Sequence, residues 1–184
     1  MPGDPQQPAR RARQAEVVRI AERVLKTPVG VLQVAASDDA ILYIELPRRR
    51  GSEPRFERWL HGRLLRRGET PVLRAALAQL RQYFAGKRRR FDVPVDPAGT
   101  EFQQRVWRLV ADIPYGETVS YGRLAAELGG PELARAVGAA VGANPIPIVI
   151  PCHRVIGADG SLTGYRGGLQ MKIWLLRHEG ALLA

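Results

Sequence analysis

The apolar residues of this chain change their spacing partway along it, and that change restricts the fold to a small sheet followed by a set of helices. Gly30–Ala36 and Ile41–Leu46 are two β-prone stretches on either side of the polar turn Ser37, Asp38, Asp39, the pattern of a hairpin. From Pro71 onward the spacing is helical: Leu73, Leu77, Leu80 and Phe84 fall on one stripe, which Gly86 ends. Thr100–Asp112 repeats the pattern with Phe102, Val106, Leu109 and Val110, until Pro114 and Gly116 break it. Ser120 is a natural N-cap for a helix over Tyr121–Leu128. Gly129, Gly130 and Pro131 form the next turn, and Pro131 suits the first position of a helix over Glu132–Gly142. Helix, glycine-containing turn, helix is the outline of a helix-turn-helix module.

The expected class is α+β, with a small α/β domain over residues 27–97 and a mostly helical domain over 98–184. Residues 1–26 form a basic extension ahead of them, read as helical from Gln14 to Lys26. Arg48–Gly68, charged and weakly periodic, is read as a loop with a short helix, and Arg90–Val95 as a further strand. The second helix of the helix-turn-helix is unusually bare. Ala134, Ala136, Gly138, Ala139 and Ala140 leave Arg135 as its one long cation, so the helix can approach a narrow groove closely.

A chain of 184 residues with 45% hydrophobic content holds enough apolar surface for a real core. The Pro-rich, basic start MPGDPQQPARRAR has no apolar stretch behind it, so no secretory signal is expected, and no apolar run reaches the length of a membrane span. The single cysteine excludes an internal disulfide, and His61, His153 and His178 form no zinc pattern with it, so no metal and no cofactor are expected. The expected compartment is the reducing cytoplasm, where a free thiol persists. The net charge of +10 suits a polyanionic partner. Its excess lies in residues 1–100, with 20 Lys and Arg against 11 Asp and Glu, whereas residues 101–184 hold 8 against 7. The runs Arg48–Arg50 and Lys87–Arg90 therefore read first as solvated surface and second as DNA contacts.

The chemistry concentrates at Cys152, in the run Ile150, Pro151, Cys152, His153, Arg154, Val155. A thiol with an ordinary pKa of about 8.5 is largely protonated at neutral pH, so a reactive cysteine needs a neighbour that takes its proton. His153 is the candidate base, acting directly or through a bridging water, and Glu179 the candidate carboxylate that fixes its tautomer. The competing reading makes Cys152 a small buried hydrophobe, as lone cysteines commonly are.

The surrounding motifs favour the first reading. PCHRV at 151–155, Asn144–Pro145 before it, Ser120–Tyr121 before a helix and Ala-Arg-Ala-Val-Gly at 134–138 occur in the order and spacing of the O6-alkylguanine-DNA alkyltransferases. Gly99–Gly180 closely resembles that family, and the TPVG and YFAGKRR stretches resemble its N-terminal domain less specifically. The resemblance implies a partner, double-stranded DNA containing O6-alkylguanine, with O4-alkylthymine as a second lesion. It also implies a protein that is monomeric in solution, and it leaves cooperative binding on DNA open. It implies that Tyr121, Gly122, Ala134, Arg135 and Gly138 meet the minor groove. Arg135 would fill the gap left by the extruded nucleotide; Tyr121 would press on the neighbouring phosphate and give the guanine ring a proton. Extrusion costs a few kcal/mol, which an inserted side chain partly offsets. Asn144 would support the turn before the thiol, Pro147 and Tyr165 would wall the alkyl pocket, and the backbone at Cys152, Val155 and Arg166, beside Gly167, would read the guanine edge. Arg166 departs from the small residue that many relatives carry there. Lys172 matches a lysine usual in the last helix, where His178 is read as exposed. Read without the family, Arg135 is a surface ion-pair partner of Glu132, Tyr121 a packing residue and Asn144 an ordinary turn former.

Three other functions fit parts of the pattern. A damage sensor without chemistry would share the module but lack the nucleophile. A cysteine hydrolase would use Cys152, His153 and Glu179 with turnover, and leaves the helix-turn-helix unexplained. A transcriptional regulator would need more side chains for base readout than the alanine-rich helix offers.

Overall fold

The structure is a computed structural model that describes residues 19–47, 55–65 and 68–182. The chain begins with β1 (Arg19–Thr27), β2 (Gly30–Ala36) and β3 (Ile41–Glu45), then α1 (Arg55–Leu60) and the two-residue β4 (Leu64–Leu65). The sheet order is β3-β2-β1-β4, with β4 parallel to β1 and the other neighbours antiparallel. The hairpin over residues 30–46 is present, with Ser37 Oγ accepting from the Asp39 and Ala40 amides inside the turn.

The helix expected over Gln14–Lys26 is corrected: residues 19–26 lie in β1, and 14–18 fall outside the described residues. Thr27, Pro28, Val29 and Gly30 close a second hairpin, with Gly30 at φ 110° and Thr27 Oγ1 donating to its carbonyl. That turn registers β1 on β2 from Ala21 against Ala36 to Thr27 against Gly30, and the ladder overrides a weak local helical preference. The short helix expected within Arg48–Gly68 is α1, and the sequence reading did not foresee β4.

Successive residues of a strand point to opposite faces, and both faces of this sheet are covered. Val34 and Ile44 join the main core with Leu73, Leu77 and Leu80 of α2 (Pro71–Phe84). Ala35 and Tyr43 face the other way, into a cluster with Ile20 and Phe56. Helix α2 starts as its sequence directs: Thr70 accepts from the Leu73 amide at 3.0 Å and Pro71 takes the first turn. Arg90–Val95 is not a strand. It meets β3 through a single bridge, Ile41 with Val95, because Pro94 has no amide hydrogen to extend the ladder.

The helical half comprises α3 (Glu101–Ala111), the strand pair of β5 (Val119–Ser120) and β6 (Val155–Ile156), and α4 (Tyr121–Leu128), α5 (Ala134–Gly142) and α6 (Leu169–His178). A capping box between Thr100 and Gln103 opens α3, and Ser120 caps α4 by accepting from the Arg123 amide. The helix expected to run from Glu132 is corrected at its start: Pro131–Leu133 is a 3₁₀ turn, and the α-helix begins at Ala134. First turns often tighten this way, because their amides lack i−4 partners. Trp107, buried in α3, donates from Nε1 to the Ala140 carbonyl at 2.8 Å and so ties α3 to α5. Among the described residues no helix is long and apolar enough to cross a membrane.

Candidate active site

The segment that carries Cys152 is held from both ends. Asn144, 2% exposed, accepts from the Ile146 amide at 2.9 Å and donates from Nδ2 to the Ile150 carbonyl at 2.8 Å, so one side chain closes the loop 145–150. Ile44 in β3 donates its amide to the Pro145 carbonyl and docks that loop on the sheet. Ile148 sits at φ 75°, a conformation that β-branched residues avoid, at a cost of about 1–3 kcal/mol. Its side chain is fully buried, and this packing holds the conformation.

Cys152 opens a 3₁₀ turn through Arg154 and is itself buried. Burial pushes its thiol pKa up; Asn144 and the charges of Arg166 and Lys172 act against that rise. The thiol lies at a narrow cavity of about 20 Å³, shared with Asn144, Pro147, Tyr165 and Arg166. Outside it lies an open depression of about 500 Å³ lined by Tyr121, Ala134, Gly138 and Thr163, and the two share Gly142, Gly164, Tyr165 and Arg166. The helix-turn-helix surface thus adjoins the thiol through one continuous wall.

His153 is fully buried, and burial lowers its pKa despite the opposing pull of Glu179. Its Nε2 lies 2.8 Å from Glu179 Oε1, while Nδ1 is buried and makes no hydrogen bond to protein. A carboxylate accepts and does not donate, so the proton belongs on Nε2 and Nδ1 keeps its lone pair. That is the neutral tautomer a base needs. Burial works against the charge on Glu179, but hydrogen bonds and charge from His153 and Arg154 hold its carboxyl well below the usual range.

The sequence reading missed most of what surrounds Glu179. Arg154 donates from Nε to Oε2 at 2.7 Å and from Nη2 to Oε1 at 3.0 Å, and Tyr83 of α2 donates to Oε1 at 2.7 Å. The Gly116 amide reaches Oε2 at 3.4 Å. Arg154 carried a usable signal, since an arginine inside an apolar run needs a buried acceptor. Tyr83 carried none. His178 is not exposed but half-buried, because its Nε2 donates to the Tyr83 carbonyl at 2.7 Å and its ring stacks on Trp174.

Of the other site residues named from sequence, Tyr121 stands half-buried at the start of α4, with its ring against Gly138. Gly122 follows it, and a Cβ there would lie 3.9 Å from Ser120 Oγ, an ordinary contact. Arg135 is exposed on α5 and forms no ion pair with Glu132. Val155 and Gly167 do not line the inner cavity. The Val155 carbonyl accepts from Lys172 Nζ at 2.6 Å, and a Cβ on Gly167 would collide with Met171 Sδ. Lys172 also donates to the Thr163 carbonyl at 3.0 Å, joining two segments of the site; burial lowers its pKa to about 8. Arg166 reaches out of the cavity wall, donates to the Ile44 carbonyl at 2.7 Å and lies over the Tyr43 ring at 5.4 Å.

Residues 20–97 match the family model described as the 6-O-methylguanine DNA methyltransferase ribonuclease-like domain, and residues 101–181 match that of its DNA-binding domain. A methylated-DNA--protein-cysteine methyltransferase of Methanosarcina acetivorans is 40% identical over 158 residues, 86% of this chain and 97% of the relative. One from Mycolicibacterium paratuberculosis is 46% identical over 169 residues, 89% and 97% of the two chains. The crystal structure of the Mycobacterium tuberculosis O6-methylguanine methyltransferase superposes with a TM-score of 0.75 at 42% identity, covering 88% of this chain and 93% of that one. The same organism's protein in complex with DNA gives 0.74 at 41%, over 89% and 94%. Both domains match in order, nearly the whole length of these relatives is covered, and the chain belongs to the 6-O-methylguanine DNA methyltransferase family.

Proposed function

We propose that the protein repairs O6-alkylguanine in duplex DNA by moving the alkyl group onto its own Cys152, once per molecule. The observation that carries this reading is the position of Cys152, which lies at a cavity adjoining the helix-turn-helix surface, next in the chain to a neutral, carboxylate-held histidine. Ala134 and Gly138 leave α5 with little side-chain bulk, so the helix can lie close in the minor groove. Arg135, free of Glu132, occupies the stack position of the nucleotide that rotates toward Tyr121 and Tyr165.

In the chemical step His153 Nδ1 takes the Cys152 proton, through a water where the two do not touch. The thiolate attacks the alkyl carbon in line, the carbon–O6 bond breaks, and its electron pair goes to the guanine. Tyr121 supplies the proton that the ring takes up, and the proton on His153 restores the balance. The product thioether has no leaving group that water displaces at neutral pH, so the protein is consumed.

The test is the intact mass of the protein after incubation with a duplex containing O6-methylguanine, with the modified peptide mapped. A stoichiometric gain of one methylene on Cys152 supports suicidal transfer. Tight binding with no gain moves the protein to the sensor class, and turnover with no gain to the hydrolases.

A further inference from the structure

The Glu179 carboxylate takes its donors from both halves of the chain. His153 and Arg154 come from the turn at the thiol, whereas the Tyr83 hydroxyl comes from α2, 96 residues earlier. Tyr83 and His153 reach the same oxygen, Oε1, at 2.7 and 2.8 Å. We propose that Tyr83 is a positioning residue for alkyl transfer, whose hydroxyl shares Oε1 with His153 and so sets both the place and the available charge of the carboxylate that holds the base. The proposal rests on the alkyl-transfer reading above.

The contact is built rather than incidental. Tyr83 is wholly buried, and the same residue's carbonyl accepts from His178 Nε2 at 2.7 Å, so Glu179 and its chain neighbour are both tied to one point on α2. His178 is in turn fixed by stacking on Trp174 at 4.9 Å and by an edge contact with the Tyr83 ring at 5.1 Å. Burial above all, then the neighbouring Glu179 charge, raises the Tyr83 phenol far above its ordinary range, so it is a donor at every working pH.

An oxygen that accepts from a phenol, an imidazole and a guanidinium has less charge to offer each of them. Removing the phenol returns charge to the His153 side, favours the imidazolium and raises the proton affinity of His153. The other groups facing the pair stay in place. Arg154 faces both Glu179 and His153, Lys172 faces His153, and Tyr115 and Tyr165 face Glu179. His153 must be neutral to take the thiol proton, so the transfer rate climbs with pH as it deprotonates. Without the Tyr83 hydroxyl that climb moves to higher pH.

The experiment is the single-turnover rate of the full chain with a free O6-alkylguanine base, measured across the acid limb for wild type and Tyr83→Phe. The expected shift is about half to one pH unit upward, a loss of about 3- to 10-fold below the limb, with recovery to within about twofold above it. A uniform loss at every pH would reduce Tyr83 to a packing residue, and an unchanged profile would remove it from the site. Fluorotyrosine at position 83 keeps the ring and strengthens the donor, and it should move the limb the opposite way; no shift there also overturns the proposal. Wild-type protein that never gains mass on Cys152 would sink the alkyl-transfer reading instead, so the two failures are separable.

Discussion

Replacing Glu179 by Gln tests the most connected buried charge among the described residues. The side chain is fully shielded from solvent, and its two oxygens accept from Tyr83, His153, Arg154 and Gly116. The amide conserves volume and one acceptor oxygen, so a bond to His153 or Tyr83 can persist. Its NH₂ group then faces the donors that met Oε2, the Arg154 Nε and the Gly116 amide, and the Arg154 charge is left without its counter-charge. Arg154 has little access to water, since it is 6% exposed and its Nη1 is committed to the Ile113 carbonyl. Breaking one side of a buried pair costs about 3–5 kcal/mol. For a chain of this size each kcal/mol is worth about 2–4 °C, so the melting temperature should fall by roughly 6–20 °C. Urea unfolding followed by circular dichroism at neutral pH gives the free energy directly. The sign with pH is fixed by the depressed folded-state pKa of Glu179. Its contribution is present above the unfolded value of about 4.3 and is lost as pH falls toward the folded one. Wild type and variant should therefore converge in acid. A cost under about 1 kcal/mol at neutral pH, or a gap that does not narrow below pH 4, would refute the argument that this pair is strongly coupled.

Cys152→Ser should abolish alkyl transfer, read by intact mass, while leaving affinity for duplex DNA within about twofold by fluorescence anisotropy, since the thiol is buried and the substitution leaves the exposed surface unchanged. Arg135→Ala should lower the transfer rate on duplex DNA by more than about tenfold while barely changing reaction with a free modified base; equal losses would argue against a role in extrusion. Asn144→Ala leaves the Ile146 amide without its acceptor, at about 1–3 kcal/mol, and takes one of two donors from the Ile150 carbonyl, which keeps the Cys152 amide at 2.8 Å, so the loop that presents Cys152 should loosen. Hydrogen exchange localised to residues 145–152 would show the loosening.

Local signals make α2, α3 and α4 legible in the amino-acid sequence. Thr70, Thr100 and Ser120 each accept from the amide three residues on, and in the stripes behind the first two Leu73, Leu77, Leu80, Val106 and Val110 are buried while Phe84, Phe102 and Leu109 are half-buried against the core. The hairpin of β2 and β3 is legible for the same reason, since Ser37 and Asp38 make a turn from residues adjacent in the chain. The pairing of Cys152 with His153 is a matter of adjacency, and the motif around it carries the family resemblance.

What the sequence alone determined, then, is whatever depends on neighbours within about a helical turn or a tight turn: caps, stripes, breakers and the adjacency of Cys152 and His153. Apart from His153 with Glu179, which the motifs already paired, tertiary structure decided the partners that lie far along the chain. Residues 19–27 became a strand because β2 offered a ladder, and residues 90–95 did not become one because Pro94 has no amide hydrogen to carry the ladder back from its single bridge at Ile41. Glu179 meets Arg154 across 25 residues and Tyr83 across 96, and Arg166 finds the Ile44 carbonyl across 122. A buried charge or polar group must find a partner somewhere, and sequence shows that need. Which partner meets it depends on how the helices and the sheet pack, and no local pattern encodes that.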